Sequence, residues 1–405
     1  MPFRPSQVVL ERYADVLVNF ALGGGAGVKR GDVVRITAHE AAKPLYVELH
    51  RAVWRAGAHS IGQYLPNEDA DCNLARDFYG LAGEEQIDFF PAAYLRGMID
   101  QADHQVTVLS DTDLHALEGI DPSLIMRKGR SMQPAIDWRT EKESAGRFSW
   151  TLGLYGTAPM AAEAGLSEEE YWQQIIDACF LADDDPIARW REVAAQIGEC
   201  VARLNALPIE RLHVLGDDVD LHLTLGEQRR WLGGSGRNIP SFEIFTSPDW
   251  RGTEGWMAFN QPLYRYGNLI RGIRLEFSAG RVVAATADEN EAVITEMVAT
   301  ENADKVGEFS LTDRRFSRIT KFMAETLYDE NVGGPFGNTH IALGKSYRDC
   351  YAGDPASVTP QEWIRLGFNE SSVHTDIVST ADRVVTATLR GGGEQVIYAG
   401  GEFQV

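Results

Sequence analysis

The sequence predicts an α/β fold with two domains, and three observations lead to that prediction. The length of 405 residues favours more than one domain. The order strand, helix, strand across residues 33–65 is typical of a parallel sheet. From about Leu212 onward, strand-like segments follow one another through short turns, which favours antiparallel pairing. We therefore expect an N-terminal α/β domain with a partly parallel sheet at residues 1–210, and a mixed, mostly antiparallel α+β domain at residues 211–405.

In the N-terminal half, the spacing of apolar residues sets the expected elements. They recur at helical spacing across residues 6–20 and 44–55. Short runs of β-forming residues lie at 33–36 and 60–65. The glycine cluster at 23–27 precedes a strand, whereas a dinucleotide-binding loop follows one, so we interpret it as a connector. The other expected elements are strands at 105–109 and 147–154 and helices at 91–102, 167–180 and from Pro186 to about Leu204.

Strands dominate the C-terminal half. Residues 277–281 carry a hairpin signal, and Gly391 to Gly393 form the turn of a second hairpin. The expected strands lie at 212–215, 219–225, 255–259, 269–277, 281–287, 384–389 and 395–398, and the expected helices lie at 289–300 and 315–328.

Composition excludes several classes of partner. A formal net charge of −21 repels nucleic-acid backbones and anionic membranes. The N-terminus has no apolar core of signal-peptide length, and no apolar run is long enough to span a bilayer. The four cysteines are scattered without a Cys-x-x-Cys motif, which gives no sign of a zinc finger or a disulfide framework. We expect a cytoplasmic protein without nucleic-acid or membrane partners.

Candidate chemistry begins with His374 and Asp376. One residue separates them, so both side chains would point to the same face of a strand, where an imidazole and a carboxylate form half of a metal site. Glu243 and Glu308 lie in strand-like runs and become candidate ligands together with the histidines, because paired cations need bridging carboxylates. The alternative for both acids is a solvated carboxylate on the outer face of a strand.

His340 and Tyr347 complete the candidates. His340 lies in an apolar stretch, where a core histidine is the alternative to a ligand. Tyr347 follows by seven residues and would share its face in a helix; its phenol could stabilise an oxyanion, and the alternative is a packed aromatic. His213 and His222 lie in expected strands with no matching acid at ligand spacing. The His-Glu-x-x-His and Gly-x-Ser-x-Gly motifs are absent from the sequence, so a zincin or a serine hydrolase is not indicated.

Taken together, these segments carry a family resemblance. The chain resembles the thermophilic-type metallo-aminopeptidases typified by aminopeptidase T and aminopeptidase S, which are leucyl aminopeptidase-like enzymes. The order and spacing of the segments is specific, although no single segment would be. The resemblance rests on the segments 150–152, 185–191, 238–248, Gly307–Glu308, 329–331, 340–344, Tyr347 and 369–376.

The resemblance implies a dinuclear metal centre in the C-terminal domain, with zinc or cobalt as the two divalent ions. Glu308 would be the bridging ligand, and Tyr347 would act beside the metals. The implied activity is hydrolysis of the N-terminal residue from peptides with a free N-terminus, by a homodimer. The implied metal ligands are Glu243, Glu308, His340, His374 and Asp376.

Two departures from the family pattern affect the site. In the family, Asp-Glu-Asn runs almost directly into the histidine, whereas here a glycine-rich loop at 332–339 intervenes and leaves the role of Glu330 open. Phe242 also stands where many relatives carry glycine or an acid.

Two other functions remain open. A relative of the dihydroxypyridine dioxygenases would hold one Fe(II) through His340, His374 and Asp376, a facial triad that does not need Glu243 and Glu308. A non-catalytic scaffold would be free to lose ligands, and all five candidate ligands are present. The sequence therefore favours the aminopeptidase, in which a metal-activated water attacks the scissile carbonyl.

Overall fold

A computed structural model of the chain describes residues 3–69, 71–234, 236–265 and 268–405. The described chain divides into two compact units: residues 3–191 with 236–239, and residues 192–234 with 240–405. The division falls within one helix, Pro186–Ala206. The domain boundary expected between residues 210 and 211 stays a prediction.

The first unit contains a four-stranded sheet in the order β2-β1-β3-β4, with every described pairing parallel. Apolar side chains of β1 alternate with polar ones, which places Val34 and Ile36 in the core. Leu154 N donates to the hydroxyl of Tyr13 in the first helix at 2.8 Å, which fixes that helix against β4. The strands are β1 (Val33–His39), β2 (His59–Leu65), β3 (His104–Leu109) and β4 (Ser149–Leu154).

Ten α-helices of the described chain begin before residue 192, five of them in addition to those expected. Ser6 caps the first helix by accepting from Val9 N, and Ser167 caps the ninth in a capping box. They are α1 (Gln7–Val16, continued by a π-helical turn at Leu17–Ala21), α2 (Lys43–Arg55), α3 (Leu74–Leu81), α4 (Glu84–Asp88), α5 (Ala92–Gln101), α6 (Pro122–Ser131), α7 (Gln133–Ser144), α8 (Ala158–Glu163), α9 (Glu168–Ala178) and α10 (Pro186–Ala206).

The second unit is built on antiparallel sheets, so the predicted combination of a parallel N-terminal sheet and a mostly antiparallel C-terminal part is confirmed. An eight-stranded sheet has the order β13-β12-β9-β6-β5-β17-β18-β19, and a five-stranded sheet has the order β16-β15-β14-β8-β7. Two further strands, β10 and β11, form a separate antiparallel pair. The strands are β5 (Ile209–Gly216), β6 (Val219–Thr224), β7 (Leu232–Gly233), β8 (Glu243–Thr246), β9 (Asp249–Ala258), β10 (Leu263–Arg265), β11 (Asn268–Ile270), β12 (Arg274–Ser278), β13 (Arg281–Thr286), β14 (Val306–Thr312), β15 (Asn338–Gly344), β16 (His374–Ser379), β17 (Val384–Leu389), β18 (Glu394–Ala399) and β19 (Glu402–Phe403), and the helices are α11 (Glu291–Ala299), α12 (Thr326–Asp329) and α13 (Pro360–Arg365).

The five-stranded sheet has an irregularity at Gly307. The pairing of β14 with β15 shifts between Val306 and Glu308, so the residue between them lies in a bulge. A Cβ at Gly307 would lie 2.3 Å from Lys345 O, so only glycine fits this close approach of two backbones. The bulge directly precedes Glu308 and sets the face of the sheet to which its carboxylate points.

Two expectations for the second unit were wrong. Residues 315–325 are not helical, although Phe316, Ile319 and Met323 are buried at helix-like spacing. Polar side chains take up the backbone groups there: Ser317 Oγ accepts from Ile319 N, and Asp329 accepts from Met323 N at 2.7 Å. The strand expected at 269–277 is broken between β11 and β12. Within the ranges that the structure describes, no helix combines the length and the apolar character needed to cross a membrane.

Candidate metal centre

The register of the five-stranded sheet places three of the candidate ligands on one face. Directly paired residues of an antiparallel sheet point to the same face, as do alternate residues of one strand. Ser310 pairs with His340, and Glu308 lies two residues before Ser310. Ala342, two residues after His340, pairs with Asp376 of β16. Glu308, His340 and Asp376 therefore share a face.

The same argument adds the other two candidates. Glu243 pairs with Thr312, which lies two residues after Ser310 on β14. His374 lies two residues before Asp376, as the sequence predicted for a strand. All five candidate side chains thus project from one face, and four strands contribute them.

Glu308 lies at the centre of the cluster. Its Oε1 is 3.6 Å from His340 Nε2, and its Oε2 is 3.6 Å from His374 Nε2. Glu243 Oε2 lies 3.3 Å from His340 Nε2, and Asp376 Oδ1 lies 3.5 Å from His374 Nε2. The side chains thus form two triads, Glu243–Glu308–His340 and Glu308–His374–Asp376, each with its ligand atoms within 4.8 Å of one another. One oxygen of Glu308 faces each histidine.

Hydrogen bonds orient both imidazoles. Asn338 donates its amide hydrogens to Glu330 O at 2.7 Å and Val332 O at 3.0 Å, so its Oδ1 is the atom that faces His340 Nδ1 at 3.2 Å. His374 Nδ1 lies 2.9 Å from Lys345 O. Because a carbonyl oxygen only accepts, each Nδ1 carries the proton and each Nε2 is turned into the cluster, which is the arrangement of metal-ligating histidines.

His340 Nε2 shows most clearly that the cluster favours positive charge. His340 is 0% exposed, and its Nε2 is a buried atom without a hydrogen bond of good geometry. A neutral imidazole would turn its lone pair toward the oxygens of Glu243 and Glu308, which is repulsive. Burial lowers the pKa of His340, but these two carboxylates outweigh burial and raise that pKa well above its ordinary value. The pocket therefore favours positive charge at this atom.

Burial and neighbouring charges also shift the pKa values of the carboxyl groups and of His374. Burial raises the pKa of Glu308 to about 7, and the charges of Glu243 and Asp376 add to this effect. Burial also acts to raise the pKa of Asp376, but the charge of His374 outweighs it and lowers that pKa. For His374, burial lowers the pKa and the charge of Asp376 raises it, with a net value of about 9. His340 and His374 act to lower the pKa of Glu308, so the histidines offset the effects of burial and of the neighbouring carboxylates in part.

Glu330 is a further acidic group beside the cluster. It is 8% exposed, and burial followed by the charges of Glu243 and Asp376 raises its pKa well above the ordinary value. The neighbouring Asn331 accepts from Phe242 N at 2.6 Å and so anchors the start of β8 next to Glu243. Phe242 is itself fully buried. Glu330 thus lies close enough to Glu243 and Asp376 for their charges to raise its pKa, although the glycine-rich loop follows it.

Tyr347 lies at the edge of the cluster. Tyr347 is 41% exposed. Its ring packs on the ring of His374, with 4.8 Å between the centroids, and its backbone N donates to Ser247 Oγ at 2.9 Å. Desolvation and the charges of Glu308 and Asp376 raise the pKa of Tyr347 well above its ordinary value, so the phenol remains a donor. The helical alternative for the segment after His340 was wrong, because residues 338–344 form β15.

The donor set fits divalent cations. Two imidazole nitrogens and three carboxylates are ligands that zinc and cobalt accept. With Glu330 included, four ionised carboxyl groups would carry four negative charges, which two divalent cations would neutralise. Burying such charges without compensation is costly. The Nε2 of His340, which has no hydrogen bond of good geometry, and the buried carboxylate of Glu308 are the two features that a cation would satisfy.

Sequence analysis did not find the residues that hold the ligands in place. Asn338 and Asn331 act through hydrogen bonds to residues eight and 89 positions away. The segment Asp329–Asn331 gave a signal for Asn331 only as part of the family resemblance.

Comparison with known proteins identifies the family. The model of the thermophilic metalloprotease (M29) family matches residues 6–403. The chain belongs to the thermophilic metalloprotease family. It is 30% identical to aminopeptidase T of Thermus thermophilus over 90% of this chain and 92% of the relative. It is 27% identical to aminopeptidase PepS of Streptococcus thermophilus over 98% of both chains. The expected family and the expected hydrolase class are thereby confirmed.

Two solved structures resemble this metalloprotease. Wild-type AmpT from Thermus thermophilus superposes with a TM-score of 0.82 at 28% identity and covers 98% of this chain and 99% of the other. The 2,5-dihydroxypyridine dioxygenase from Pseudomonas putida superposes with a TM-score of 0.50 at 14% identity over 99% of this chain and 98% of the other. At that identity the second likeness concerns the fold alone.

Replacing the amide that orients His340 should destabilise the metalloprotease. In Asn338→Ala, the buried Nδ1 of His340 and two buried carbonyls lose their partner, so we expect the free energy of unfolding of the metal-free protein to fall by about 1–3 kcal/mol. Chemical denaturation measures this change.

Gln404→Ala is the matched control. Gln404 also donates to two carbonyls, at 3.3 Å each, but it is exposed and water can replace it. An equal loss of unfolding free energy in the two variants would contradict the role assigned to Asn338.

Proposed function

We propose that this metalloprotease is an aminopeptidase that removes the N-terminal residue of peptides at a dinuclear centre. The observation that carries the proposal is the position of Glu308, with one oxygen toward each triad. A mononuclear site does not need Glu243 and Glu308 as ligands, so it gives no reason for two carboxylates at these positions. The names of the relatives, aminopeptidase T and aminopeptidase PepS, support the substrate class.

The two triads would hold the ions, with zinc or cobalt as the proposed metals. Glu243 and His340 would serve one ion, His374 and Asp376 the other, and Glu308 would bridge them. When bound, such a pair lowers the pKa of a water molecule and polarises the scissile carbonyl. Homodimeric assembly and a cytoplasmic location stay predictions.

The remaining chemistry comes from the side chains around the triads. The hydroxyl of Tyr347 remains protonated and lies beside His374, so it would donate a hydrogen bond to the oxyanion that develops on the substrate carbonyl. Glu330 lies beside the triads and would accept a hydrogen bond from the α-amino group of a substrate, which gives a preference for a free N-terminus. That preference would restrict cleavage to the first residue.

Removing the bridging carboxylate tests the proposed activity. The metal-stripped protein is reconstituted with zinc or cobalt and assayed with a leucine-initiated peptide and its Nα-acetylated form. We expect cleavage of the first bond of the free peptide only. Glu308→Gln should lose more than about 100-fold in kcat/KM together with bound metal, since changes around metal ligands already cost about 10–100-fold.

Glu394→Gln is the control, because Glu394 is an exposed strand carboxylate of the same unit. Full rate and full metal content in Glu308→Gln would refute the bridging role. Hydrolysis of internal bonds in the acetylated peptide would refute the aminopeptidase. One iron per chain with oxygen uptake on a dihydroxypyridine would favour the dioxygenase instead.

Loss of the phenol hydroxyl alone should lower turnover. In Tyr347→Phe we expect kcat to fall by about 10²–10³ while metal content and KM change little, because one oxyanion donor is removed. Tyr351→Phe, four residues later and packed against Trp363, serves as the control. An unchanged kcat in Tyr347→Phe would rule out this donor.

A further inference from the structure

A second group of metal-ligating side chains lies on the eight-stranded sheet. His213 of β5 pairs directly with His222 of β6 across the turn at 217–218. Asp220 lies two residues before His222 and therefore on the same face. The expectation that these histidines lack a matching acid was wrong, because antiparallel pairing brings the acid to His213 although seven residues separate them.

The spacing of the ligand atoms suits a single cation. His213 Nε2 lies 2.9 Å and His222 Nε2 3.6 Å from Asp220 Oδ1, and the three ligand atoms lie within 4.8 Å of one another. In a tetrahedral site with bonds of about 2.0–2.1 Å, ligand atoms are about 3.3 Å apart. The two distances to the carboxylate lie on either side of that value.

The rings of His213 and His222 lie nearly parallel to each other. Their centroids are 4.1 Å apart and their planes differ by 12°, so the rings are stacked. Both Nε2 atoms lie near the same carboxylate oxygen. Small side-chain rotations on an exposed surface would bring both nitrogens onto one ion, and solvent would fill the open position.

The charges around the group are mixed. Arg211 of β5 lies on the same face of the sheet, and burial, then the charge of His213, then that of Arg211 lower the pKa of His222. Glu254 of β9 pairs with His222 from the other side, and its Oε1 accepts from Ala279 N at 2.6 Å. Two carboxylates and one guanidinium thus surround the histidines, and this balance favours a cation.

We propose that His213, Asp220 and His222 form a surface site for a divalent transition-metal ion such as Zn²⁺. Two imidazole nitrogens and one carboxylate match zinc, nickel or copper, whereas magnesium and calcium require mainly oxygen ligands. The site lies on the eight-stranded sheet, whereas the cluster that contains Glu308 lies on the five-stranded sheet. It adds a bound ion without taking part in peptide hydrolysis.

Equilibrium dialysis of the metal-stripped full chain against Zn²⁺ tests the site. The wild-type protein should bind one zinc ion more than His222→Ala, with unchanged peptidase activity. Asp220→Asn should weaken this ion at least about 10-fold, because a ligand is lost where even outer-sphere changes cost about 10–100-fold. The comparison uses variants with an intact Glu308 cluster, so it does not depend on how many ions that cluster holds.

His115→Ala is the matched control, because His115 faces one carboxylate, Glu163 at 3.7 Å. We expect this variant to bind as much zinc as the wild-type protein. Equal zinc binding by His222→Ala and the wild-type protein would overturn the proposal. If His222→Ala lost one zinc ion but Asp220→Asn bound zinc as tightly as the wild-type protein, the proposal that three residues form the site would be overturned. All the changed side chains are partly or fully exposed, and thermal melting verifies that the variants fold.

Discussion

The burial of Glu308 is the constraint on which the site depends. A carboxylate that is 2% exposed, with two further carboxylates on the same sheet face, is stable only with positive charge close by. The structure supplies this through His340 and His374, whose Nδ1 atoms are held by protein oxygens and whose Nε2 atoms face the acids. Protons satisfy this demand in part, and two divalent cations would satisfy it fully.

The five-stranded sheet holds the side chains of the cluster in fixed positions. β14 and β15 are buried along their whole length, so their side chains cannot relax toward water. The bulge at Gly307 sets the side to which Glu308 points. Asn338 and Asn331 then join the segment 330–332 to the strands that carry His340 and Glu243. The ligand atoms are thus positioned before any ion binds, as pre-organised sites require.

Periodicity predicted the local parts of this arrangement. His374 and Asp376 share a face because a strand repeats every two residues, and the strand–helix–strand order gave the parallel sheet of the first unit. Side-chain hydrogen bonds to the backbone and the pairing of strands decided the parts that periodicity did not predict. Residues 316, 319 and 323 have helical spacing, yet Ser317 and Asp329 bind the backbone there and no helix forms. The approach of Glu243 to His340 depends on strand register, and the meeting of His213 with Asp220 depends on pairing across a turn; neither follows from spacing along the chain.

The central claim is that Glu308 connects two cation sites on one sheet face. Anomalous X-ray diffraction at the zinc edge, from crystals of the zinc-loaded protein, tests it most directly. The account predicts two peaks at this face, one between His340 and Glu243 and the other between His374 and Asp376, with a Glu308 oxygen directed to each. A single peak bound by His340, His374 and Asp376, with Glu243 and Glu308 turned away from it, would contradict the claim.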